Sequence, residues 1–524
     1  MYKVTLIEPN QVTTRDHNGF VLGSIRPNVP LHTQPLVAAS LRERTNLDLD
    51  VQIYNPTIHN AEQETQYKTT EDYGSRTLTH FMRGDSLDSS RFQEALDADI
   101  VGITANFTER ANVAFAIAKE AKKINPEVKI IYGGSDAVHR KTLYLTHGNG
   151  DIIVPKDSEI VGPEVVRAIL LRDSLERIAG ITYREGDTLR EIRGTSAQYG
   201  KNKMQDVPIP ALDLVANEIP LWTMDHEGPF PEGISGPISY FEMSRGCHNS
   251  CGFCTSASIP YSFMTSEQVE ERLEEFTKYG IKTLNIIDDN LLTRLLVPQG
   301  RDNLLATFSV LEEQGVRWSF GNGLQYSLFR QSDGILDEEV IQAVFSGAYC
   351  LYVPLEDPVD MRYKKLSGNP HQQLTGDISD LFKRNTEIIK AIAETGIKRM
   401  TFGFIVGYPE ETKERLSRVQ KTLEDLKDEL FCVNPRLEIL FMPQLHMPLP
   451  GTADYRAIQT NGTMNFSLDE HPELVQFALS TYNPAFVDDR LQLIENLNDK
   501  NTLEEWVNGI YPKGIVSNQK GDSA

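Results

Sequence analysis

Three cysteines lie within eight residues of this chain, at the spacing CxxxCxxC formed by Cys247, Cys251 and Cys254. They are three of only five cysteines in the whole sequence. A cubane iron–sulfur cluster has four irons, and each iron takes a terminal ligand that is usually a cysteine thiolate. Three clustered thiolates hold three irons and leave the fourth iron open to bind a small molecule and pass it an electron. The spacing therefore predicts a 4Fe–4S cluster with one open iron.

Other uses of the cysteines fit the sequence less well. A structural zinc site needs four ligands, usually in paired spacings, and His248 lies directly beside Cys247. An odd number of cysteines without a signal peptide indicates a reducing compartment rather than disulfides. The remaining two, Cys350 and Cys432, lie in apolar, strand-like stretches and are predicted to be small buried hydrophobic residues. A second iron–sulfur cluster is therefore not expected.

The composition narrows the compartment and the partners. The chain has 524 residues and a formal net charge of −22, and such a surface repels the phosphates of nucleic acids. No apolar run approaches the roughly 18 residues of a membrane span. The first ten residues are too short and too soon interrupted for a signal peptide and predict a strand instead. We therefore expect a cytoplasmic protein that binds neither nucleic acid nor membrane.

Residues 1–194 alternate apolar strand patterns with helical patterns, which is typical of an α/β domain with a parallel, Rossmann-like sheet. A helical stripe over 109–125 is formed by Val113, Ile117 and Ala121, and a hairpin over 181–192 closes the region. The predicted strands are 4–7, 49–54, 100–104, 128–132 and 152–154. Ligands of such sheets bind at the carboxyl ends of the strands.

Residues 195–237 are rich in proline with interleaved apolar residues and predict an ordered linker. Residues 238–455 then predict a partial (β/α)6 TIM barrel, whose active site lies at the carboxyl ends of its strands. Thr265 and Gln268 have the capping-box pattern of a helix start, and Gly280 ends that helix. The barrel strands are expected at 238–243, 283–287, 317–320, 350–355, 400–406 and 437–442. Residues 456–524 form a small, mainly helical C-terminal region.

Together the two halves resemble the radical SAM enzymes that carry an N-terminal cobalamin-binding domain. In this superfamily the open iron of the cluster chelates the amino and carboxylate groups of S-adenosylmethionine. The resemblance covers roughly residues 1–455 and is strongest at the cysteine triplet. Its other supporting segments are 99–104, 130–134, 150–154, 288–289, 354–356, 403–412 and 450–452.

The resemblance also assigns residues to cofactors. Cys247, Cys251 and Cys254 would hold the irons. The S-adenosylmethionine contacts implied by the family pattern are Phe253 beside the adenine, Asp288 and Glu356 at strand ends, and Gly403, Phe404 and Gly407 along the adenine. The cobalamin contacts implied in the same way are Thr104, Ala105, Asn106, Gly133, Gly134 and Glu159. Two alternatives stay open: helix capping by Asp288, and an ion pair of Glu356 with Arg362 or Lys364.

Two departures from the family pattern concern cobalamin. A Gly-Glu-Gly-Glu-like turn is replaced by Lys156-Asp157-Ser158-Glu159, whose lack of glycine is expected to narrow that edge. No DxHxxG motif supplies a histidine to cobalt, because Asp16-His17-Asn18-Gly19 has the wrong spacing. Cobalamin is therefore expected to bind without a protein imidazole, with its nucleotide tail inside the first domain.

The expected function is a radical SAM reaction in which a reduced cluster cleaves S-adenosylmethionine and hydrogen is abstracted from a small metabolite or peptide. Cobalamin-dependent methylation of an unactivated carbon is the leading form of that reaction, and an electron donor such as flavodoxin or ferredoxin would reduce the cluster. The alternatives are a non-methylating epimerase, cyclase or rearrangement enzyme with a degenerate cobalamin domain, and a binding module with a relic cluster loop. The sequence assigns no catalytic residue.

Overall fold

The protein is described by a computed structural model over most of its length. The described residues are 1–16, 29–73, 76–194, 203–223, 230–256, 259–331, 333–356, 359, 378–406, 412–445, 447, 449–460 and 467–477. All statements below concern these residues.

The first half is built on a seven-stranded sheet in the order β10-β9-β8-β7-β6-β1-β3. Five of these strands, from β8 to β3 in that order, run parallel, and β9 and β10 form the predicted antiparallel hairpin at one edge. The strands of this half are β1 (Tyr2–Ile7), β2 (Gln11–Asp16), β3 (Leu49–Tyr54), β4 (Glu64–Tyr73), β5 (Arg76–Arg83), β6 (Ile100–Thr104), β7 (Lys129–Gly133), β8 (Ile152–Ile153), β9 (Thr182–Glu185) and β10 (Thr188–Glu191).

Helices cover both faces of this sheet, which explains why its strands are nearly continuous apolar runs. On one face Ile103 and Ile130 pack with Val113 and Ile117 of α4. On the other face the strands pack against α1 and α7. The helices are α1 (Thr33–Arg44), α2 (Pro56–His59), α3 (Ser90–Leu96), α4 (Ala111–Ile124), α5 (Ser135–His139), α6 (Lys141–Thr146) and α7 (Ser158–Leu171).

A three-stranded antiparallel sheet in the order β2-β5-β4 was not predicted from the sequence. Its buried positions are largely polar, since Thr14, Thr70 and His80 are all less than 6% exposed. The two threonine hydroxyls lie 2.9 Å from the two ring nitrogens of His80, and burial lowers the pKa of this histidine to about 4. Paired hydroxyl and imidazole groups thus form a core that apolar periodicity does not reveal.

The linker predicted over 195–237 is ordered wherever the structure describes it. Short 3-10 turns lie at Lys203–Asp206, Leu212–Val215 and Ile219–Leu221, with Pro208 and Pro210 between the first two turns and Pro220 inside the third. Trp222 is fully buried in the same hydrophobic core as the barrel strands. The segment therefore packs against the second half of the chain.

The second half contains a six-stranded parallel sheet in the order β11-β14-β15-β16-β17-β18, with helices between the strands. Its strands are β11 (Ile238–Phe241), β14 (Thr283–Ile286), β15 (Arg317–Phe320), β16 (Ala348–Glu356), β17 (Arg399–Val406) and β18 (Glu438–Leu445), and a small ribbon pairs β12 (Ser244–Arg245) with β13 (Ser262–Phe263). The helices are α8 (Ser266–Lys278), α9 (Gly300–Glu313), α10 (Glu338–Phe345), α11 (Ile378–Glu394), α12 (Lys413–Val433) and α13 (Ala453–Thr460).

This arrangement is the predicted partial barrel after a Rossmann-like domain, and the α/β fold class is confirmed. The capping box of Thr265 and Gln268 starts α8, and Gly280 follows that helix with a φ of +75°. The prediction for Cys432 is wrong, because this residue is exposed and lies on α12. A short apolar run does not distinguish strand from helix. Cys350 is buried in β16 as predicted.

The chain beyond α13 returns to the first domain. Glu473 lies in a 3-10 turn (Pro472–Phe477), and its side chain is fully buried. Its carboxylate accepts hydrogen bonds from the Tyr67 hydroxyl at 3.0 Å, the Lys68 ammonium at 2.9 Å and the Asn112 amide at 2.7 Å. The C-terminal segment therefore packs against the antiparallel sheet of the first half. Within the described part of the chain, no helix has the length and apolar character needed to cross a membrane.

Candidate functional site

The cysteine loop leaves the barrel at the carboxyl end of its first strand, β11. The amide of Cys247 donates to the carbonyl of Ile259 at 3.1 Å and closes the base of the loop. Gly246 has a φ of +94°, and a Cβ on it would overlap the Pro260 carbonyl. Only glycine fits this close approach of two backbone segments. The residue before the first cysteine therefore lets the loop fold back across the strand end.

The three thiols are partly exposed, and those of Cys247 and Cys254 accept hydrogen bonds from their surroundings. Cys247 Sγ accepts from the Asn249 amide at 3.4 Å and from Asn290 Nδ2 at 3.7 Å, and Cys254 Sγ accepts from the Ser256 amide at 3.3 Å. Such hydrogen bonds tune the potential of iron–sulfur clusters. The described residues contain no group of three ligands arranged around a single metal ion. A cubane binds each cysteine through a different iron, so it does not require that arrangement.

Asp288 and Asp289, which follow β14, accept hydrogen bonds from the residues that lead into the cysteine loop. Asp288 is 3% exposed, accepts from the Met243 amide at 2.9 Å and bonds to the Ser244 hydroxyl. Burial raises the pKa of Asp288 to about 7. Asp289 accepts from the Gly246 amide at 2.8 Å and faces the large cavity described below. Asp288 therefore bonds to the cysteine loop and not to a helix start.

Of the other residues assigned to S-adenosylmethionine, the structure describes Phe253 in the cysteine loop and Gly403 and Phe404 towards the carboxyl end of β17. Phe253 is partly exposed within the cysteine loop. A Cβ on Gly403 of β17 would overlap the Tyr352 hydroxyl, so a side chain is excluded there. Phe404 is 1% exposed and belongs to the barrel core. Gly407, Arg362, Lys364 and the side chain of Glu356 lie outside the described residues, and the predicted contacts with S-adenosylmethionine stay predictions.

A cavity of about 920 Å³ separates the carboxyl ends of the first sheet from the cysteine loop. Thr104, Asn106, Gly133 and Gly134 of the six predicted cobalamin contacts line it. The other two, Ala105 and Glu159, are buried behind its wall. From the barrel side the cavity is lined by Glu242, Arg245, Thr255, Ser256 and Asp289.

The loops after β6 and β7 form a close-packed floor for this cavity. Gly134 has a φ of +114°, and a Cβ on it would lie 2.6 Å from the carbonyl carbon of Ala105. The Ser135 amide donates to Asn106 Oδ1 at 3.1 Å, which ties the two loops together. The floor is therefore made of backbone and small side chains, and it leaves room for a flat ligand.

The cavity continues as a groove between the first sheet and two helices. Leu6 and Ile100 line it from the sheet, and Leu41 of α1 and Val166 of α7 line it from the opposite side. Gly162 of α7 also borders the groove, and a Cβ there would meet no atom within 4 Å. The groove is thus an apolar extension of the cavity into the first domain.

The turn without glycines binds both ends of the cysteine loop. Lys156 Nζ donates to the Thr255 carbonyl at 2.6 Å, one residue after the third cysteine. Arg245, two residues before the first cysteine, pairs with Asp157 at 2.9 Å and Glu159 at 2.6 Å. It also pairs with Glu242 at 2.7 Å. The expected narrowing of this edge does not close the cavity, which Lys156, Asp157 and Ser158 line directly.

Sequence reasoning missed several cavity residues. His32, at the start of α1, lies with Nε2 3.4 Å from Glu242, and His139 lies at the end of α5. Neither belongs to a recognisable motif, so only the fold brings them to the cavity. Asp289 could have been found, because it directly follows Asp288 at the same strand end. Residues 17–19 of the DxHxxG-like segment lie outside the described residues.

Comparisons with known proteins agree with this architecture. Residues 241–423 match the sequence profile of the radical SAM superfamily. The chain carries a radical SAM domain. An uncharacterized methyltransferase of Pyrococcus horikoshii is 24% identical over 347 residues, which cover 65% of this chain and 67% of the relative. Cytidylyl-2-hydroxyethylphosphonate methyltransferase of Streptomyces wedmorensis is 23% identical over 334 residues, covering 59% of this chain and 58% of the relative.

The radical SAM domain and the domain before it share their fold with two solved radical S-adenosylmethionine enzymes. OxsB with aqua-cobalamin and S-adenosylmethionine bound has a TM-score of 0.65 at 14% identity, with 94% of this chain and 66% of that chain covered. TsrM of Kitasatospora setae, with tryptophan substrate and an S-adenosylmethionine analogue bound, has a TM-score of 0.60 at 14% identity, with coverages of 96% and 90%. At such identities the likeness concerns the fold alone.

Proposed function

We propose that this radical SAM enzyme is a cobalamin-dependent methyltransferase that modifies an unactivated carbon of a small metabolite or peptide. The observation that carries the proposal is the 920 Å³ cavity between the first sheet and the cysteine loop. Its walls come from both domains, so a ligand that fills it contacts the cluster loop on one side and the sheet edge on the other.

The shape of the cavity suits cobalamin. The floor of glycine and small residues accepts the flat corrin ring, and the apolar groove between the sheet, α1 and α7 accepts the nucleotide tail. Two relatives are named as methyltransferases. The solved structures of OxsB and TsrM, which share this fold, were determined with cobalamin bound. These similarities support the choice of ligand.

The cysteine loop suits the cluster. Cys247, Cys251 and Cys254 would hold three irons, and the fourth would bind S-adenosylmethionine. When bound, the cluster would supply the electron for cleavage of S-adenosylmethionine, and cobalamin would supply a carrier for the methyl group. The chain itself fixes the loop through Asp288, Asp289 and Arg245, and it encloses the space in which substrate and cofactors meet.

A cofactor titration of matched variants tests the cobalamin part. Gly162→Leu adds a side chain at the border of the groove, where its Cβ would meet no protein atom within 4 Å, and leucine also favours the helix. Overpacking costs about 1–3 kcal/mol, so the affinity for hydroxocobalamin should fall by about 5- to 150-fold. Arg167→Leu places the same side chain on the exposed face of α7 and is the control.

The titration is followed by the visible absorbance of protein-bound hydroxocobalamin. Near-stoichiometric binding by the wild type and by Arg167→Leu, with weaker binding by Gly162→Leu, supports the proposal. If wild-type protein does not bind hydroxocobalamin, the first domain is a scaffold. The non-methylating epimerase, cyclase or rearrangement reaction then replaces methylation.

The reaction type is tested separately with reduced, reconstituted enzyme and candidate substrates. S-adenosylhomocysteine and a methylated product together identify methyl transfer. Formation of 5′-deoxyadenosine with an unmethylated, rearranged product identifies the alternative. A reductant of the flavodoxin or ferredoxin class is the proposed electron donor, and dithionite can replace it in this assay.

A further inference from the structure

Lys156 connects the first domain to the end of the cluster loop that carries the third cysteine. It lines the cavity and donates from Nζ to the Thr255 carbonyl at 2.6 Å. Thr255 directly follows Cys254, one of the proposed iron ligands. The side chain therefore reaches from the cobalamin edge of the first sheet to the cluster loop of the barrel.

The charge of Lys156 differs from that of the other cation beside this loop. Arg245 is paired with three carboxylates, those of Asp157, Glu159 and Glu242, so its charge is more than balanced locally. Lys156 forms no ion pair within 4 Å with any residue that the structure describes, and its hydrogen-bond acceptor is a neutral carbonyl. Burial lowers the pKa of Lys156, while Asp289 and the Cys254 thiol favour its charged form.

A positive charge at this point has a defined consequence for a cluster held by the loop. Reduction adds one electron to the cluster, and a partly buried cation attracts that added charge more strongly than water-screened surface charges do. Net charge and hydrogen bonding near the sulfurs set the reduction potentials of such clusters. A neutral residue in place of Lys156 would therefore make reduction harder.

We propose that Lys156 is a positioning residue that holds the cluster loop against the cobalamin edge and raises the reduction potential of the cluster. This inference rests on the proposed function, since it requires a cluster on Cys247, Cys251 and Cys254. It also gives the turn 156–159 a role that glycines cannot perform. The turn fixes both ends of the loop and places one cation beside it.

A redox titration of charge variants tests the proposal. Wild type, Lys156→Met, Lys156→Gln and Lys156→Arg are reconstituted anaerobically, poised at set potentials with dithionite and mediators, and measured by electron paramagnetic resonance of the reduced cluster. In both neutral variants the ratio of reduced to oxidised cluster at a fixed potential should fall about tenfold, which is 59 mV for a one-electron couple. Lys156→Arg keeps the charge and should stay near the wild-type ratio.

Lys141→Met is the matched control. Lys141 lines the same cavity, but it pairs with Glu191 at 2.8 Å on the hairpin side. Its replacement removes the same charge from the cavity without touching the cluster loop, so the ratio should not change. A merely structural role of Lys156 would lower iron content without moving the potential of the clusters that remain.

The outcomes separate this inference from the proposed function. If wild-type protein binds no iron and sulfide, the proposed function is wrong and the inference falls with it. If wild type holds a cluster but the neutral variants titrate like it, the inference alone is overturned. If both neutral variants lose iron while their remaining clusters titrate like those of the wild type, the inference is also overturned, because the role of Lys156 is then only structural.

Discussion

The two sheet edges that face the central cavity are formed by different types of residue. The barrel edge presents thiols and carboxylates, with Cys247, Asp288 and Asp289 at strand ends. The edge of the first sheet presents mainly backbone and small residues, with Gly133 and Gly134 over the buried Ala105. Functional side chains such as cysteines and carboxylates can be recognised in the sequence. A cavity bordered by backbone and small residues can be recognised only in the folded structure.

Because of this difference, the two edges should tolerate different kinds of amino-acid substitution. At the barrel edge, loss of one functional atom would remove a proposed ligand of the cluster. At the first sheet, addition of atoms fills the space that a ligand needs. Substitutions that subtract should therefore damage the barrel edge most, and substitutions that add should damage the first edge most.

Cys251→Ala is the subtraction with the largest expected effect. Removal of one of three thiolates leaves two protein ligands for the cubane, so bound iron and sulfide should fall sharply and 5′-deoxyadenosine formation should drop to the background of metal-free protein. Cys432→Ala removes an exposed thiol from α12 and is the control. Full iron content and cleavage activity in Cys251→Ala would contradict the assignment of the barrel edge.

Arg245→Met tests the ion pairs that hold the two edges together. The side chain of Arg245 is 19% exposed and pairs with Glu242, Asp157 and Glu159. Its loss leaves these carboxylates without their cation, and breaking a buried pair costs about 3–5 kcal/mol in the free energy of unfolding. Urea denaturation measures this cost.

The control for this substitution is Arg42→Met. Arg42 pairs with Asp213 at 2.8 Å, but the two side chains are 39% and 54% exposed. An exposed pair contributes less than about 1 kcal/mol, so the control should lie close to wild type. Equal losses in the two variants would show that the central ion pairs do not join the domains more strongly than a surface pair.

Asp288→Asn has the smallest expected effect, and its sign depends on pH. Burial raises the folded-state pKa of Asp288 from 3.8 to about 7. Between these values the folded protein binds a proton that the unfolded chain does not, so stability falls as pH rises towards 7. The neutral amide removes this dependence.

The stability of Asp288→Asn relative to wild type should therefore increase by about 1 kcal/mol from pH 6 to pH 8. Urea denaturation at the two pH values measures the change, and Asp173→Asn, at an exposed position after α7, controls for the substitution. A difference that is the same at both pH values would mean that Asp288 is ionised throughout.

Much of the fold could be predicted, because the parallel strands of both domains are buried apolar runs. The six barrel strands and the capping box at Thr265 were found by pattern alone. The antiparallel sheet around His80 could not be predicted from apolar periodicity, because its buried threonines and histidine are polar residues that hydrogen-bond to one another. Cys432 was misplaced because its apolar neighbours also suit a helix.

Some residues of the candidate site could likewise be predicted from the sequence, and others could not. The cysteine triplet and Asp288 follow strands directly, so their meeting at one edge could be expected. The contacts of Lys156 and Glu159 could not be expected, because they join residues 99 and 86 positions apart in the sequence, in two different domains. From the sequence, the absence of glycines in the turn 156–159 predicts only a narrower edge. The structure shows that Lys156, Asp157 and Glu159 bind the two ends of the cysteine loop.

The buried carboxylate of Glu473 has a consequence for biosynthesis. Its partner Asn112 precedes it by 361 residues. A ribosome adding about 5–20 residues per second needs roughly 20–70 s to cover that distance. Until then Lys68 and Asn112 on the nascent first domain lack this partner. The domain that is synthesised first is thus completed by the last described segment of the chain, and truncation before residue 473 would leave it unfinished.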